Sequence, residues 1–214
     1  MFEDGFPSEI ESAALATGYG PILRTSARES FSLRQQIFEQ VRASGRIARA
    51  TIARSLDVSP GSVTALTAEL ISDGFLREVE GAARETSRGR PPVALEVVPE
   101  ALRVVGVKLS DETHTAILTD LAGNLLASAA LASNTDKKTA TDLLRDAENL
   151  ITQLCTSAEI NMDTISAIGV GIAGIVDFES GMVAWSPLLQ NADVPLGQIF
   201  ADHFETPVRI DNDA

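Results

Sequence analysis

Residues 47–76, IARATIARSLDVSPGSVTALTAELISDGFL, constrain this chain more than any other stretch. The segment 46–56 carries Ile52, Ala53 and Leu56 at three-to-four spacing, which predicts a helix. Asp57-Val58-Ser59 breaks it. Ser59 is placed to cap a second helix, and Pro60 occupies its first position, where a missing N–H costs nothing. Val63, Leu66 and Leu70 then share one face, and Gly74 suits the left-handed residue that follows a helix. Two helices joined by a three-residue turn make a helix-turn-helix, whose second helix enters the DNA major groove. With Val63 as the buried direction, steps of about 100° put Gly61, Thr64, Ala65 and Ala68 on the opposite face. Ser59 and Ser62 add hydroxyls at the helix start. Such small or hydroxylated residues allow close approach to base edges: Thr64 can hydrogen-bond a base or phosphate, and the alanine methyls can meet thymine methyls. The same residues would also serve an ordinary buried helical hairpin.

The flanks extend the pattern. Ser32 can cap a helix over 33–43, with Leu33, Ile37 and Val41 four apart and Gly45 ending it. After the helix pair come two short β-like runs, 75–80 and 93–98, around the basic segment Ser87-Arg88-Gly89-Arg90-Pro91-Pro92. This reads as a hairpin, or wing. In its tip the glycine lets the backbone come close and the proline keeps it extended, so Arg88, Gly89 and Arg90 form a candidate minor-groove contact. A solvated basic turn is the plainer alternative.

Charge divides along the chain. The total is −13, yet residues 34–92 hold nine arginines against seven carboxylates, and residues 103–214 carry a net charge of −10. Arginine's planar fork favours phosphate and groove recognition, whereas an acidic segment repels DNA. Different tasks for the two parts are expected. Residues 1–30, with the breaker cluster Gly18-Tyr19-Gly20-Pro21, read as a flexible arm; 31–98 as a winged helix-turn-helix domain; and 99–214 as an α/β domain. In the last, strands are expected over 103–109, 115–120 and 125–131. An amphipathic helix follows from 139, then a buried strand over 165–173, a turn at Gly174 leading to Asp177, a short strand over 181–185, a helix over 194–204 and a strand over 208–211. Cys155, the single cysteine, falls on the apolar stripe of the long helix as a small core residue.

The order of these elements, with Gly-Val-Gly-Ile-Ala-Gly-Ile-Val-Asp at 169–177 and Pro-Val-Arg-Ile-Asp-Asn-Asp-Ala at 207–214, resembles the ROK family. That family groups bacterial transcriptional repressors with sugar kinases of actin/hexokinase-like (ribonuclease H-like) fold. The resemblance implies a two-domain α+β/α/β chain: a winged helix-turn-helix followed by part of the sugar-kinase-like lobe. It also implies that Asn212 and Asp213 are the pair that contacts sugar, the Asp being the general base in the kinases. Where the kinases carry an Asp-x-Gly-Gly-Thr phosphate loop, this chain has Lys108-Leu109-Ser110-Asp111-Glu112, with Lys108 in the Asp position and Ser110 and Asp111 for the glycines. Side chains there obstruct a backbone phosphate cradle. The Pro-Asn-Leu of the family is Pro187-Leu188-Leu189 here.

The expected function is therefore a sequence-specific DNA-binding regulator, a repressor of carbohydrate-related genes. Its partners would be double-stranded DNA and a sugar or sugar-phosphate effector, and it would act as a homodimer rather than as an enzyme. A ROK sugar kinase with an added domain and a non-catalytic interaction module are the alternatives. No cofactor is expected in this chain, since the family's zinc site and second lobe would lie beyond Ala214, and a lobe ending there is expected to leave apolar surface for self-association. Acidic Met1-Phe2-Glu3-Asp4 is unlike a signal peptide. The weakly polar run 165–176 is far shorter than the roughly 20 residues a membrane span needs. A cytoplasmic protein with no membrane partner is expected.

Overall fold

The computed structural model describes residues 32–80 and 93–213. The arm expected over 1–30 and the wing tip with Arg88, Gly89 and Arg90 lie outside the described residues. The chain forms two compact units that divide between Ala101 and Leu102.

The first unit holds helices α1 (Leu33–Ser44), α2 (Arg49–Leu56) and α3 (Pro60–Ser72), then strands β1 (Leu76–Glu80) and β2 (Val93–Val97). Ser32 caps α1 as half of a capping box with Gln35. Helix α2 starts at Arg49 rather than at residue 46. Ile47 exchanges backbone hydrogen bonds with Leu95, at 3.1 and 2.8 Å, so the chain before α2 is extended alongside β2. Asp57 ends α2 in the left-handed conformation. Ser59 Oγ accepts the Ser62 N–H at 3.0 Å and starts α3, with Pro60 in its first turn. At the far end the Phe75 N–H donates to Leu70 O and the Gly74 N–H to Ile71 O, a Schellman closure around Gly74 at φ +78°. Strands β1 and β2 pair antiparallel from Leu76↔Val97 to Glu80↔Val93. Ile37, Val41, Ile52, Val63, Leu70, Leu76 and Leu95 are buried in this unit. Thr67 is buried too, while Leu66, expected inside, is only half-buried.

The second unit is a five-stranded sheet in the order β5-β4-β3-β6-β9. Its strands are β3 (Arg103–Leu109), β4 (Thr113–Asp120), β5 (Leu125–Ala132), β6 (Ala167–Ile172) and β9 (Val208–Asn212). The β5-β4-β3 side is an antiparallel meander, whereas β3, β6 and β9 run parallel. Helices α4 (Ala140–Ala158) and α5 (Leu196–Phe204) pack into the same core as Val105, Val107, Leu109, Ile168, Val170, Ile172 and Ile210. On α4 the buried stripe is Leu143, Ala147, Leu150, Ile151, Leu154 and Cys155. Burial of each leucine contributes roughly 1.5–3 kcal/mol. Cys155 is free and buried, and burial raises its thiol pKa, as suits an inert core residue.

A small ribbon, β7 (Ile175–Asp177) with β8 (Met182–Trp185), is only partly legible in the sequence: its first strand falls where a turn is expected. Gly174, at φ +144°, leads into it with the Trp185 carbonyl so near that a Cβ would lie 2.1 Å from that oxygen. The β6 strand is also shorter than expected, Ala167–Ile172, preceded by a single 3₁₀ turn at Met162–Thr164.

Candidate functional site

In the first unit the outward face of α3 carries Gly61, Thr64, Ala65 and Ala68, all exposed, with Ser59 and Ser62 exposed at its start. The two serine hydroxyls lie 2.8 Å apart and bond each other, while Ser59 Oγ also accepts the Ser62 N–H as the helix cap. Thr64 Oγ1 donates to Pro60 O at 2.8 Å and retains its acceptor lone pairs. Two arginines fix this helix. Arg49 on α2 donates to Thr67 Oγ1 at 2.8 Å and pairs with Glu78 on β1, also at 2.8 Å. Arg34 on α1 pairs with Asp73 at 2.5 Å and lies over the Phe75 ring, 5.9 Å from its centre. Neither clamp is legible from periodicity, because the partners are 18 and 39 residues apart.

Among the described residues of the first unit, five of the six arginines pair with carboxylates. Arg46 and Arg77 share Glu96, each at 2.7 Å. Burial alone would raise the Glu96 carboxyl, but hydrogen bonds from Arg77 and Arg46 hold it below its ordinary value. Arg42 pairs with Glu39. Arg54 is exposed, and its guanidinium donates to the Thr51 hydroxyl, with no carboxylate partner among the described residues.

In the second unit, Leu109, Ile172 and Asn212 align at the carboxyl ends of the three parallel strands. Ligands of open α/β sheets bind outside such ends. The segments that leave this edge are the turn at 110–112, Ala173-Gly174, and Asp213. Lys108 pairs with Asp213 at 3.4 Å. Lys108 is in register with Gly171, whose missing Cβ would lie 3.4 Å from Asp213 Cβ, so the glycine leaves room for the pair. The Asn212 side-chain amide donates to Gly174 O. The two candidate sugar-contacting side chains are thus together at this edge, each with a partner within the chain.

The 110–112 turn is closed on itself. Ser110 Oγ donates to Thr113 O at 2.7 Å, and the Ser110 N–H donates to His114 Nδ1 at 3.0 Å. The Ser110 N–H is therefore occupied rather than presented to a phosphate. Among the described residues no group of three or more His, Cys, Asp or Glu side chains is arranged to hold a metal ion, and no helix is long and apolar enough to cross a membrane.

A family model described as the ROK family matches residues 104–214, just over half of the chain. The chain belongs to the ROK family. Among similar proteins, the xylose repressor of Caldicellulosiruptor bescii is 33% identical over 170 residues, covering 78% of this chain and 41% of that protein. The DNA-binding transcriptional repressor Mlc of Escherichia coli is 27% identical over 172 residues, covering 79% and 41%. This ROK chain therefore spans about two-fifths of the length of those relatives. The crystal structure of a ROK family transcriptional regulator, a homolog of E. coli Mlc, superposes with a TM-score of 0.64 at 22% identity, covering 84% of this chain and 45% of that one. That likeness is one of fold.

Proposed function

We propose that this ROK chain is the DNA-reading and effector-facing part of a sequence-specific transcriptional repressor of carbohydrate-related genes. The observation that carries the reading is the outward face of α3. Gly61, Thr64, Ala65 and Ala68 are all exposed on a helix capped at both ends and clamped by Arg34 and Arg49. A helix that buries only its Val63 side and offers a smooth outer face can lie against base edges. In this reading the first unit is a winged helix-turn-helix domain over 31–98. Ser59, Gly61, Ser62, Thr64, Ala65 and Ala68 follow the major groove, and Arg88, Gly89 and Arg90 reach the flanking minor groove. A homodimer in the cytoplasm would present two such units to a palindromic site. The names of the relatives, a xylose repressor and an N-acetylglucosamine repressor among them, support the same reading.

The carboxyl edge of the second unit, with Asn212 and Asp213, would face a sugar effector. The Lys108–Asp213 pair and the occupied Ser110 N–H argue against kinase chemistry at that edge, since a base tied to an ammonium and a closed turn suit neither hydroxyl activation nor a phosphate cradle.

The test is binding of the full chain to duplexes enriched from a random-sequence pool, read by fluorescence anisotropy at several salt concentrations. Ala65→Glu, which sets a carboxylate on the smooth face, should abolish specific binding. Arg88→Ala with Arg90→Ala should weaken binding and flatten its salt dependence by up to about one unit of slope for each phosphate that is no longer neutralised. Wild-type affinity in the Ala65→Glu variant would refute the α3 assignment, and wild-type affinity in the arginine variant would refute the wing.

A further inference from the structure

His114 is the most enclosed ionisable side chain of the second unit, with no exposed surface. It is the second residue of β4, beside the 110–112 turn, and its Nδ1 accepts the Ser110 N–H at 3.0 Å. Accepting there places the neutral ring's proton on Nε2, which lies 3.3 Å from Asp146 Oδ2 on α4. Lys138 Nζ donates to the same carboxylate oxygen at 2.5 Å and sits 3.3 Å from Nε2. The backbone of Lys138 carries the link onward. Its N–H donates to Leu188 O at 2.7 Å, and its carbonyl accepts the Gln190 N–H at 3.0 Å. One imidazole thus connects the turn at the carboxyl edge to the segment 186–190, 70 residues or more away in the sequence.

We propose that neutral His114 is a positioning residue for the carboxyl-edge site, holding the 110–112 turn and, through Asp146 and Lys138, the 186–190 segment in a single arrangement. The relevance of that edge to an effector rests on the function proposed above; the coupling itself does not. Protonation must occur at Nδ1, the atom that accepts the Ser110 N–H. An imidazolium there turns acceptor into donor and forces two N–H groups to face one another, so the turn is released. The charged groups that bear on the ring are Lys138, in the segment before α4, and Asp146, on α4. Its cross-strand partner on β5 is the apolar Leu131, and Asp111 and Glu112 in the turn are exposed. Burial, then the Lys138 ammonium, lower the imidazole pKa against the opposing pull of Asp146. The folded form therefore prefers the neutral ring, and the stability this brings is complete above the unfolded value near 6.5 and is lost as pH falls through the lowered folded value.

The experiment is a pH titration of the full chain by ¹H–¹⁵N NMR, reading the imidazole nitrogens and the amides of Ser110 and Gln190. The expected result is an Nε2–H tautomer at neutral pH, with both amides shifting at the imidazole midpoint. In His114→Asn the side-chain oxygen still accepts from Ser110, so the Ser110 amide should stay in its hydrogen-bonded position and lose the titration. An Nδ1–H tautomer, or a Ser110 or Gln190 amide indifferent to the imidazole midpoint in the wild-type chain, overturns the proposal. Neither DNA nor sugar is present, so its failure is separate from failure of the functional reading.

Discussion

Gly61 stands in the first turn of α3, where glycine disfavours the helix around it. A Cβ built there would meet only Ser59 Oγ, at 3.8 Å, an ordinary contact, and its backbone is not in the left-handed region. Nothing among the described residues requires glycine there. Gly61→Ala should therefore leave thermal stability unchanged or raise it, by up to about 1 kcal/mol from helix propensity. It also adds a methyl to the face proposed to meet DNA, so affinity for selected duplexes should fall. A variant both more stable and equal in affinity would remove Gly61 from the interface. Thr67 is the opposite case. Its hydroxyl is buried between Arg49 and the Thr64 carbonyl, and Thr67→Val should cost about 1–3 kcal/mol in a denaturant titration because the Arg49 Nε–H loses its acceptor.

At the scale of elements, the close approaches decide where the ribbon β7–β8 lies. Gly174 meets the Trp185 carbonyl, and Gly181 and Gly197 come together so that a Cβ on either would lie 2.9 Å from the other's Cα. The obstructing atoms are backbone, which cannot turn aside as a flexible side chain would. Gly174→Ala combines such a clash with an unfavourable φ of +144° and should destabilise the second unit by more than about 2 kcal/mol in chemical denaturation. Wild-type stability in that variant would mean that the β6–β7 connection relaxes freely. The capping signals of α1, α3 and α4 are plain in Ser32, Ser59 and Thr139, because a cap bonds to a backbone N–H three residues away. The start of α2 is not, since it depends on Ile47 pairing with Leu95, 48 positions along the chain.

For the whole molecule, the contrast between the two units lies in charge and in the carboxyl edge. The second unit's excess of carboxylates disfavours DNA, so the proposed affinity is placed in the first. Lys108 opposite Asp213 is the contact on which the proposed non-kinase reading rests. Incubation with Mg-ATP and glucose, xylose or N-acetylglucosamine should release no more ADP than ATP alone. Sugar-dependent turnover would reverse the assignment and make the carboxyl edge a catalytic site.

Local signals alone determined much of this protein. Caps, breakers and apolar periodicity placed three helices ahead of a β-rich α/β segment, and the motifs at 169–177 and 207–214 led to the family, because such features act within a few residues of one another. Tertiary structure decided the rest. It alone showed that Thr67 is inside, that five of the six described arginines of the first unit pair with carboxylates, that Lys108 reaches Asp213 across Gly171, and that His114 links Ser110 to Asp146. Each of these depends on strands or helices distant in sequence being brought into register. A spacing pattern holds no information about that register until the sheet has formed.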